Sequence, residues 1–221
     1  MLPDHPVTGF DYTAAVQQQA GIGRYVRELA AALAELPGER TIRLFAAGAR
    51  PADLPVPPRG CTFHPSHLSE RVHNRLWQRL RLPLPVEAWT GPLDLFHGTD
   101  FTLPAVRRGT RTVLTIHDLA YERFPDETMP GMQRYLARAV PHSVARADHV
   151  IAVSEATRQD LIHLYGTCPE KISVIPHGVD PRFFAAPAAD EAARLRVEYH
   201  IPPGPVVLTV GTLQPRKNHL R

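Results

Sequence analysis

The amino-acid sequence predicts an α/β protein built on a Rossmann-like parallel sheet, and two observations support this prediction. Short apolar runs, which suit strands buried on both faces, alternate along the chain with longer segments that suit crossover helices. The turns that follow several of these runs carry glycine, histidine or aspartate, at the edge where open α/β sheets bind ligands. The predicted strands are residues 7–12, 41–46, 93–96, 112–116, 149–153, 172–175 and 206–210.

The predicted helices rest on apolar residues that recur three or four positions apart. Val26, Leu29 and Leu33 form such a face in the first helix. Pro141 is expected to kink the third helix, because proline lacks the amide that a helical hydrogen bond needs. Ser154 is a good N-cap for the fourth helix. The predicted helices are residues 21–36, 68–82, 130–147, 155–165 and 191–199.

Composition limits the classes of partner and compartment. The net charge of +3 and the isoelectric point near 9.1 favour anionic ligands. A nucleic-acid partner is not expected, because the densest basic stretch, residues 71–81, has only Trp77 interleaved with its cations. Cys61 and Cys168 lie far apart without a CxxC pair, which is typical of a reduced, cytoplasmic compartment. No apolar run approaches the roughly 20 residues that cross a bilayer.

The end of the chain predicts the start of a second domain. The apolar run at residues 206–210 closes with Gly211, and Arg216 and Lys217 follow where a helix should begin. A strand, a glycine and two cations at a helix start make an anion site of the kind that holds phosphates. One strand cannot bury a core, so we expect this domain to be truncated. The expected division is residues 1–183 as the first domain, 184–204 as a linker with a short helix and 205–221 as the start of the second.

Gly21 and Gly23 open the first predicted helix after a long loop. Their amides and the positive end of the helix dipole could face a phosphate. The alternative is that the two glycines only allow tight packing between strand and helix. The pattern is not a dinucleotide fingerprint, because Val26 occupies the place of the third glycine.

Histidine and aspartate side chains occupy the other turns of the same edge. His117 and Asp118 follow one strand, His97 and Asp100 follow another, and His177 follows the last strand of the first domain. A neutral imidazole there could bond a sugar hydroxyl or carry a proton, whereas the alternative for each is an ordinary loop histidine. A zinc site formed by the three histidines has no supporting ligand spacing, so we expect no metal.

The predicted helix at residues 68–82 combines an apolar stripe with arginines. Arg71, Arg75 and Arg79 accompany leucine and valine residues spaced four apart. This combination is typical of a helix that lies on an anionic lipid surface. A domain helix with a solvated basic face explains it as well.

With these residues in place, the chain resembles a known family, the retaining nucleotide-sugar glycosyltransferases of family 4, which have the GT-B fold. The resemblance covers nearly the whole chain and depends on six motifs that occur in order. These are AGIGRY at 20–25, FHG at 96–98, TIHDL at 115–119, IAVSE at 151–155, VIPHGVD at 174–180 and VGTLxPRKN at 210–218.

The resemblance implies two Rossmann-like domains, of which this chain supplies the acceptor side and only the start of the nucleotide side. It implies transfer of a hexose of mannose or glucose type from a GDP- or UDP-linked sugar to a glycan or lipid-linked acceptor, without a metal. Peripheral membrane contact is expected from the helix at 68–82 and not from the resemblance. His117 would be catalytic, whereas His97, Asp100, Asp118 and His177 would contact sugar or acceptor. The donor diphosphate would meet Gly21, Gly23, Arg216 and Lys217.

The family's acidic donor-site residues would lie beyond Arg221, so the chain alone is expected to be inactive. The alternative from a different class is a non-catalytic half-domain that binds sugar or lipid.

Overall fold

The computed structural model describes residues 5–19, 21–211 and 217. The chain divides into two compact units, Met1–Pro176 and His177–Arg221. The first unit contains the sheet that the sequence predicts. The domain boundary expected after residue 183 lies within the second unit, and the expected three-part division stays a prediction.

The first unit is a parallel sheet of seven strands in the order β3-β2-β1-β4-β5-β6-β7. The prediction of a Rossmann-like α/β fold is therefore confirmed. Each strand runs parallel to its neighbours because a crossover returns the chain to the same edge before the next strand starts, and the crossovers after β1, β3, β5 and β6 contain α-helices. The strands are β1 Val7–Asp11, β2 Thr41–Ala47, β3 Cys61–Ser66, β4 Leu95–Gly98, β5 Arg111–Ile116, β6 His149–Ala152 and β7 Ile172–Val174.

Strand β3 was not predicted, and its composition explains why. It lies at one margin of the sheet, where β2 is its partner. Its sequence mixes polar residues with Pro65, which cannot donate a ladder hydrogen bond and which is tolerated on margin strands. A search for continuous apolar runs therefore passes over it.

The helices cover both faces of the sheet and follow the predicted pattern closely at their ends. Ser154 caps the helix after β6, because its hydroxyl accepts a hydrogen bond of 3.1 Å from the amide of Thr157. Gly166 ends that helix in the left-handed conformation, with a φ of 63°. The helices are α1 Thr13–Gln17, α2 Gly21–Glu35, α3 Glu70–Asn74, α4 Glu87–Thr90, α5 Ala120–Arg123, α6 Pro130–Arg146, α7 Glu155–Tyr165 and α8 Glu191–Glu198.

The helix predicted at 68–82 forms over a shorter range and buries aromatic side chains. Helix α3 continues into a π-helical turn, Arg75–Arg79, and the two together are called the α3–π segment. His73 and Trp77 are the side chains that face the core, where they pack against Phe45 with ring centroids 5.4 and 5.9 Å away. Aromatic side chains bury more surface than leucine or valine, and much of the apolar stripe remains exposed.

The core consists of two clusters. Adjacent residues of a strand point to opposite faces, so Leu44 belongs to one cluster and Phe45 to the other. The cluster around Leu44 includes Val26 of α2, and the cluster around Phe45 extends to Leu114 of β5. The sheet is thus buried on both faces, which explains why its strands appear in the sequence as apolar runs.

The second unit contains α8, and its apolar run has no strand. Residues 206–210 form no helix or strand, and Val207 and Val210 are 96% and 87% exposed. The prediction of a buried strand at 206–210 is wrong for this structure. A parallel strand needs hydrogen-bonding neighbours, and no strand lies in the described part of this unit.

Candidate functional site

The candidate site lies at the carboxyl-terminal edge of β1, β4 and β5. The strand order runs from β1 to β3 in one direction and from β4 to β7 in the other. The chain therefore switches direction between β1 and β4, and ligands of open α/β sheets bind at such a switch point. Asp11, Thr99 and His117 lie at the ends of the three strands that surround it.

The start of α2 places Gly21 and Gly23 in different surroundings. A Cβ atom on Gly23 would lie 2.1 Å from the carbonyl oxygen of Gln18 and 2.7 Å from that of Ala14. Gly23 is therefore needed for the close approach of α2 to α1 and Gln18, which is the packing role considered above. Gly21 is exposed, and a Cβ there would meet open space. Contact of either glycine with a phosphate stays a prediction.

His117 is held at the edge by a hydrogen bond and by two aromatic rings. Its Nε2 lies 2.9 Å from the carbonyl oxygen of Thr99, so this nitrogen carries the proton. The rings of Tyr25 and Phe101 meet the imidazole edge to face, with centroids 5.0 and 6.0 Å away. His117 remains half-buried rather than part of the core. The ring is thus fixed in orientation while part of it reaches the surface.

His97 lies deeper than His117. It is 5% exposed, its Nε2 is 2.8 Å from Oγ1 of Thr115, and its ring packs on Phe10. Burial, with a smaller contribution from the charge of His117, lowers the pKa of His97 to about 4. The imidazole is therefore neutral at neutral pH. The structure does not bring His97 to the surface beside His117, and its contact with sugar stays a prediction.

The two predicted aspartates of the edge differ in environment. Asp118 accepts a hydrogen bond of 2.9 Å from the amide of Ala120, which fixes the turn into α5. Asp100 is partly buried, and burial, followed by the charges of Asp11, Glu70 and Asp118, raises its pKa to about 7. The next residue, Phe101, has a φ of 55°, a conformation that costs a bulky side chain energy and that is concentrated at functional sites.

Asp100 belongs to a pocket that the sequence analysis missed. The pocket is small, with a cavity volume of about 40 Å³, and it opens to solvent. It lies between the ends of β1 and β4 and the α3–π segment. Asp11 is the penultimate residue of a predicted strand, beside the edge where His97 and His117 follow theirs, so it could have been found. The other new members follow no such signal, because periodicity does not show which side chains of residues 68–82 meet the pocket. The new polar members of the lining include Asp11, Thr13, Glu70, His73, Asn74, Gln78 and Thr102.

The predicted site residues of the second unit cannot be placed relative to this edge. His177 and Lys217 are exposed members of that unit. Arg216 lies outside the described residues. Within the described ranges, no three or more histidine, cysteine or acidic side chains are grouped so as to hold a metal ion. Of the helices the structure describes, none combines the length and the apolar character that crossing a bilayer requires.

The α3–π segment presents apolar and basic side chains together at the surface. Leu68, Val72 and Leu80 are 42%, 40% and 55% exposed. Arg75 and Arg79 of the same segment are also exposed. Much of the apolar stripe noted in the sequence is therefore available to an outside surface.

The parallel sheet of seven strands with its helices defines a Rossmann-like α/β unit. The sequence profile described as Glycosyltransferase Family 4 matches residues 20–183. The chain therefore belongs to glycosyltransferase family 4, and the resemblance seen in its motifs is confirmed.

Curated relatives and solved structures agree with this membership. The chain is 26% identical over 212 residues to O-antigen chain mannosyltransferase B of Escherichia coli, covering 90% of this chain and 54% of that protein. It is 41% identical over 74 residues to D-inositol 3-phosphate glycosyltransferase of Kineococcus radiotolerans, covering 34% of this chain and 17% of the relative.

Among solved structures, Anabaena HepE in complex with UDP-glucose shares the fold, with a TM-score of 0.53 and 17% identity. The match covers 89% of this chain and 50% of HepE. The chain thus spans about half the length of the mannosyltransferase and of HepE.

Proposed function

We propose that the whole protein is a retaining glycosyltransferase that moves a hexose of mannose or glucose type from a nucleotide-diphosphate sugar to a glycan or lipid-linked acceptor. This chain would supply the acceptor-side half of that enzyme. The observation that supports the proposal best is the placement of His117 at the switch point, oriented by Thr99 and by two aromatic rings. Family membership and the name of the Escherichia coli relative support the same reaction class.

His117 is proposed as the catalytic residue, acting as a hydrogen-bonding group toward the donor sugar. Its Nε2 donates to the carbonyl of Thr99, which fixes the ring, and the half-buried imidazole lies at the edge where a ligand of an open α/β sheet binds. A fixed ring loses no orientational entropy when charge develops in the transition state, and this is how such a bond accelerates a reaction.

The donor diphosphate is proposed to meet Gly21 at the start of α2, together with Arg216 and Lys217. Gly21 is exposed and has open space around it, and α2 is a helix of 15 residues whose N-terminus favours an anion. The two cations would neutralise the leaving group, so no metal is proposed. A GDP- or UDP-linked donor is proposed, and UDP-glucose is the ligand of HepE.

A cytoplasmic location with peripheral membrane contact is proposed from the exposed face of the α3–π segment. Exposed Leu68, Val72 and Leu80 could enter the headgroup region of a bilayer. Arg75 and Arg79 beside them would meet anionic lipid. This contact would keep a lipid-linked acceptor near the sheet edge.

The test uses the chain alone and the chain with whatever sequence its reading frame encodes beyond residue 221. Both are incubated with GDP-mannose, GDP-glucose, UDP-glucose and UDP-galactose, and released nucleoside diphosphate is measured. We expect turnover of one donor by the longer protein and none by the chain alone, because half a cleft cannot exclude water from the reacting groups.

His117→Ala should lower turnover by about 2–4 kcal/mol in activation free energy, the usual value of one positioned bond in the transition state. The matched control is His163→Ala, a histidine near the exposed end of α7. Equal turnover by the two variants would contradict the proposed role of His117. Absence of turnover with every donor would contradict the proposed function.

A further inference from the structure

We infer that the pocket between β1, β4 and the α3–π segment binds an ammonium group carried by a polyhydroxylated ligand, such as an amino sugar, and excludes phosphorylated ligands. The inference deepens the proposed function, on which it rests, by naming the chemical class of the acceptor. It depends on three features of the pocket: its charges, the kind of its unpaired polar atoms and the way those atoms are held.

Three acidic side chains, Asp11, Glu70 and Asp100, line the pocket together with one histidine, His73. No lysine or arginine is among the described residues of the lining. Burial, and then the charge of Asp11, raises the pKa of Glu70 and of Asp100. Repulsion among these carboxyl groups is relieved when one of them takes up a proton or when a cation binds beside them.

Three buried polar atoms of the lining have no hydrogen-bond partner among the described residues. They are Nε2 of His73, Oε1 of Gln78 and Oδ1 of Asp100. The His73 side chain is 1% exposed, so bulk water does not satisfy its Nε2. A buried polar atom without a partner is costly, and its presence in a pocket points to a ligand.

All three atoms are able to accept a hydrogen bond. Nδ1 of His73 lies 3.2 Å from the carbonyl oxygen of Ser69, so Nδ1 carries the proton and Nε2 has the lone pair. Nε2 of Gln78 donates to the carbonyl oxygen of Leu103 at 2.8 Å, which turns Oε1 away as an acceptor. Burial lowers the pKa of His73, so its ring stays neutral. The pocket therefore calls for a ligand that donates.

An ammonium group and hydroxyl groups satisfy these acceptors, whereas a phosphate does not. An ammonium has three donors and no acceptor, and its positive charge opposes the repulsion among the carboxylates. A phosphate dianion has only acceptor oxygens and would add negative charge to the acidic group. A metal ion is a poorer candidate, because the described side chains form no group of three or more metal-ligating residues.

The experiment measures binding by the 221-residue chain and does not depend on transfer. The chain is labelled with ¹⁵N and titrated near pH 7 with glucosamine, glucose and glucose 6-phosphate, which differ in charge on one ring. Backbone signals of Asp11 and Asp100 and the Nε2 signal of His73 report on the pocket. We expect glucosamine to bind at least about 10-fold more tightly than glucose, because a charge-assisted hydrogen bond contributes more than a neutral one. Glucose 6-phosphate should leave the three signals unchanged.

Variants locate the effect. Glu70→Gln and Asp100→Asn should reduce the preference for glucosamine to within about threefold of glucose, because each removes a negative charge and keeps the shape. Asp126→Asn, an exposed position outside the pocket, should leave the preference unchanged. An unchanged preference in both pocket variants overturns the inference. Binding of glucose 6-phosphate or Mg²⁺ at the same signals, or no response to any probe, overturns it too.

Failure of the inference can be told from failure of the proposed function. Turnover of a nucleotide sugar without any ammonium preference would overturn the inference and keep the transferase. An ammonium preference in a protein that turns over no donor would do the reverse.

Discussion

Replacing His97 with glutamine should remove a pH-dependent loss of stability from the first unit. His97 is buried and neutral in the folded protein, where its pKa is about 4 against 6.5 for an unperturbed histidine. The folded-state value is the lower one, so the unfolded chain binds a proton more readily. His97 therefore contributes full stability above about pH 6.5, and this contribution falls as the pH drops toward 4.

The size of the effect follows from the two pKa values. Between pH 7 and pH 5, His97 binds a proton in the unfolded chain but hardly at all in the folded protein. Proton binding therefore stabilises the unfolded state, and the free energy of unfolding falls by about 2 kcal/mol. Glutamine can keep a hydrogen bond to Oγ1 of Thr115 but does not titrate. The carboxyl groups titrate in both proteins. Subtracting the pH dependence of the variant's free energy of unfolding from that of the wild type therefore removes their contribution and leaves that of His97.

The assay is urea unfolding followed by tryptophan fluorescence at both pH values. The two tryptophans, Trp77 and Trp89, lie in the first unit, so their emission reports on it. The wild type should lose about 2 kcal/mol more than His97→Gln between pH 7 and pH 5. Equal losses, within about 0.5 kcal/mol, would refute the reasoning and mean that His97 is protonated without cost in the fold.

Three further predictions follow from the same structure. Gly23→Ala should lower the free energy of unfolding by more than about 2 kcal/mol, because the new Cβ meets backbone carbonyls, whereas Gly21→Ala should change it by less than about 1 kcal/mol. Urea unfolding of both variants measures the two changes, and equal effects would contradict the prediction. Binding to anionic vesicles should weaken with salt and with Arg75→Gln, and equal affinity for neutral vesicles would leave only a solvated basic face. In the longer protein, the double variant Arg216→Ala and Lys217→Ala should abolish transfer, while the activity of the wild type should survive EDTA. If EDTA removes the activity and a divalent metal restores it, the two cations are not the main counter-charge of the diphosphate.

The sequence predicted the sheet well because burial on both faces makes a strand apolar throughout. The run ending at Ile116 is such a strand, and His117 and Asp118 follow it at the expected edge. Strand β3 escaped because a strand at the margin tolerates polar residues and Pro65. Strand signals in a sequence therefore report burial more than backbone pairing.

The pocket could be predicted only in part. Asp100 was expected at the edge, but Glu70, His73 and Gln78 were not. Their positions depend on how α3 continues into a π-helical turn and on which face then meets Phe45. Periodicity alone singled out the apolar stripe that contains Val72 and not these residues, because helical spacing does not weigh aromatic against aliphatic burial. The prediction of a strand at 206–210 was wrong for another reason. A strand requires hydrogen-bonding neighbours, and the described part of the second unit contains no other strand.

The two outer strands of the sheet have a consequence for behaviour at high concentration. An open margin offers unpaired amides and carbonyls, onto which a second molecule can add a strand and begin a fibre. On one side, β3 carries Pro65, which interrupts the row of amide donors. On the other side, β7 is three residues long and is soon followed by Pro176, so it offers a template too short to hold a foreign strand. Both margins are therefore protected against edge-to-edge aggregation, which should help nascent chains remain monomeric while they fold.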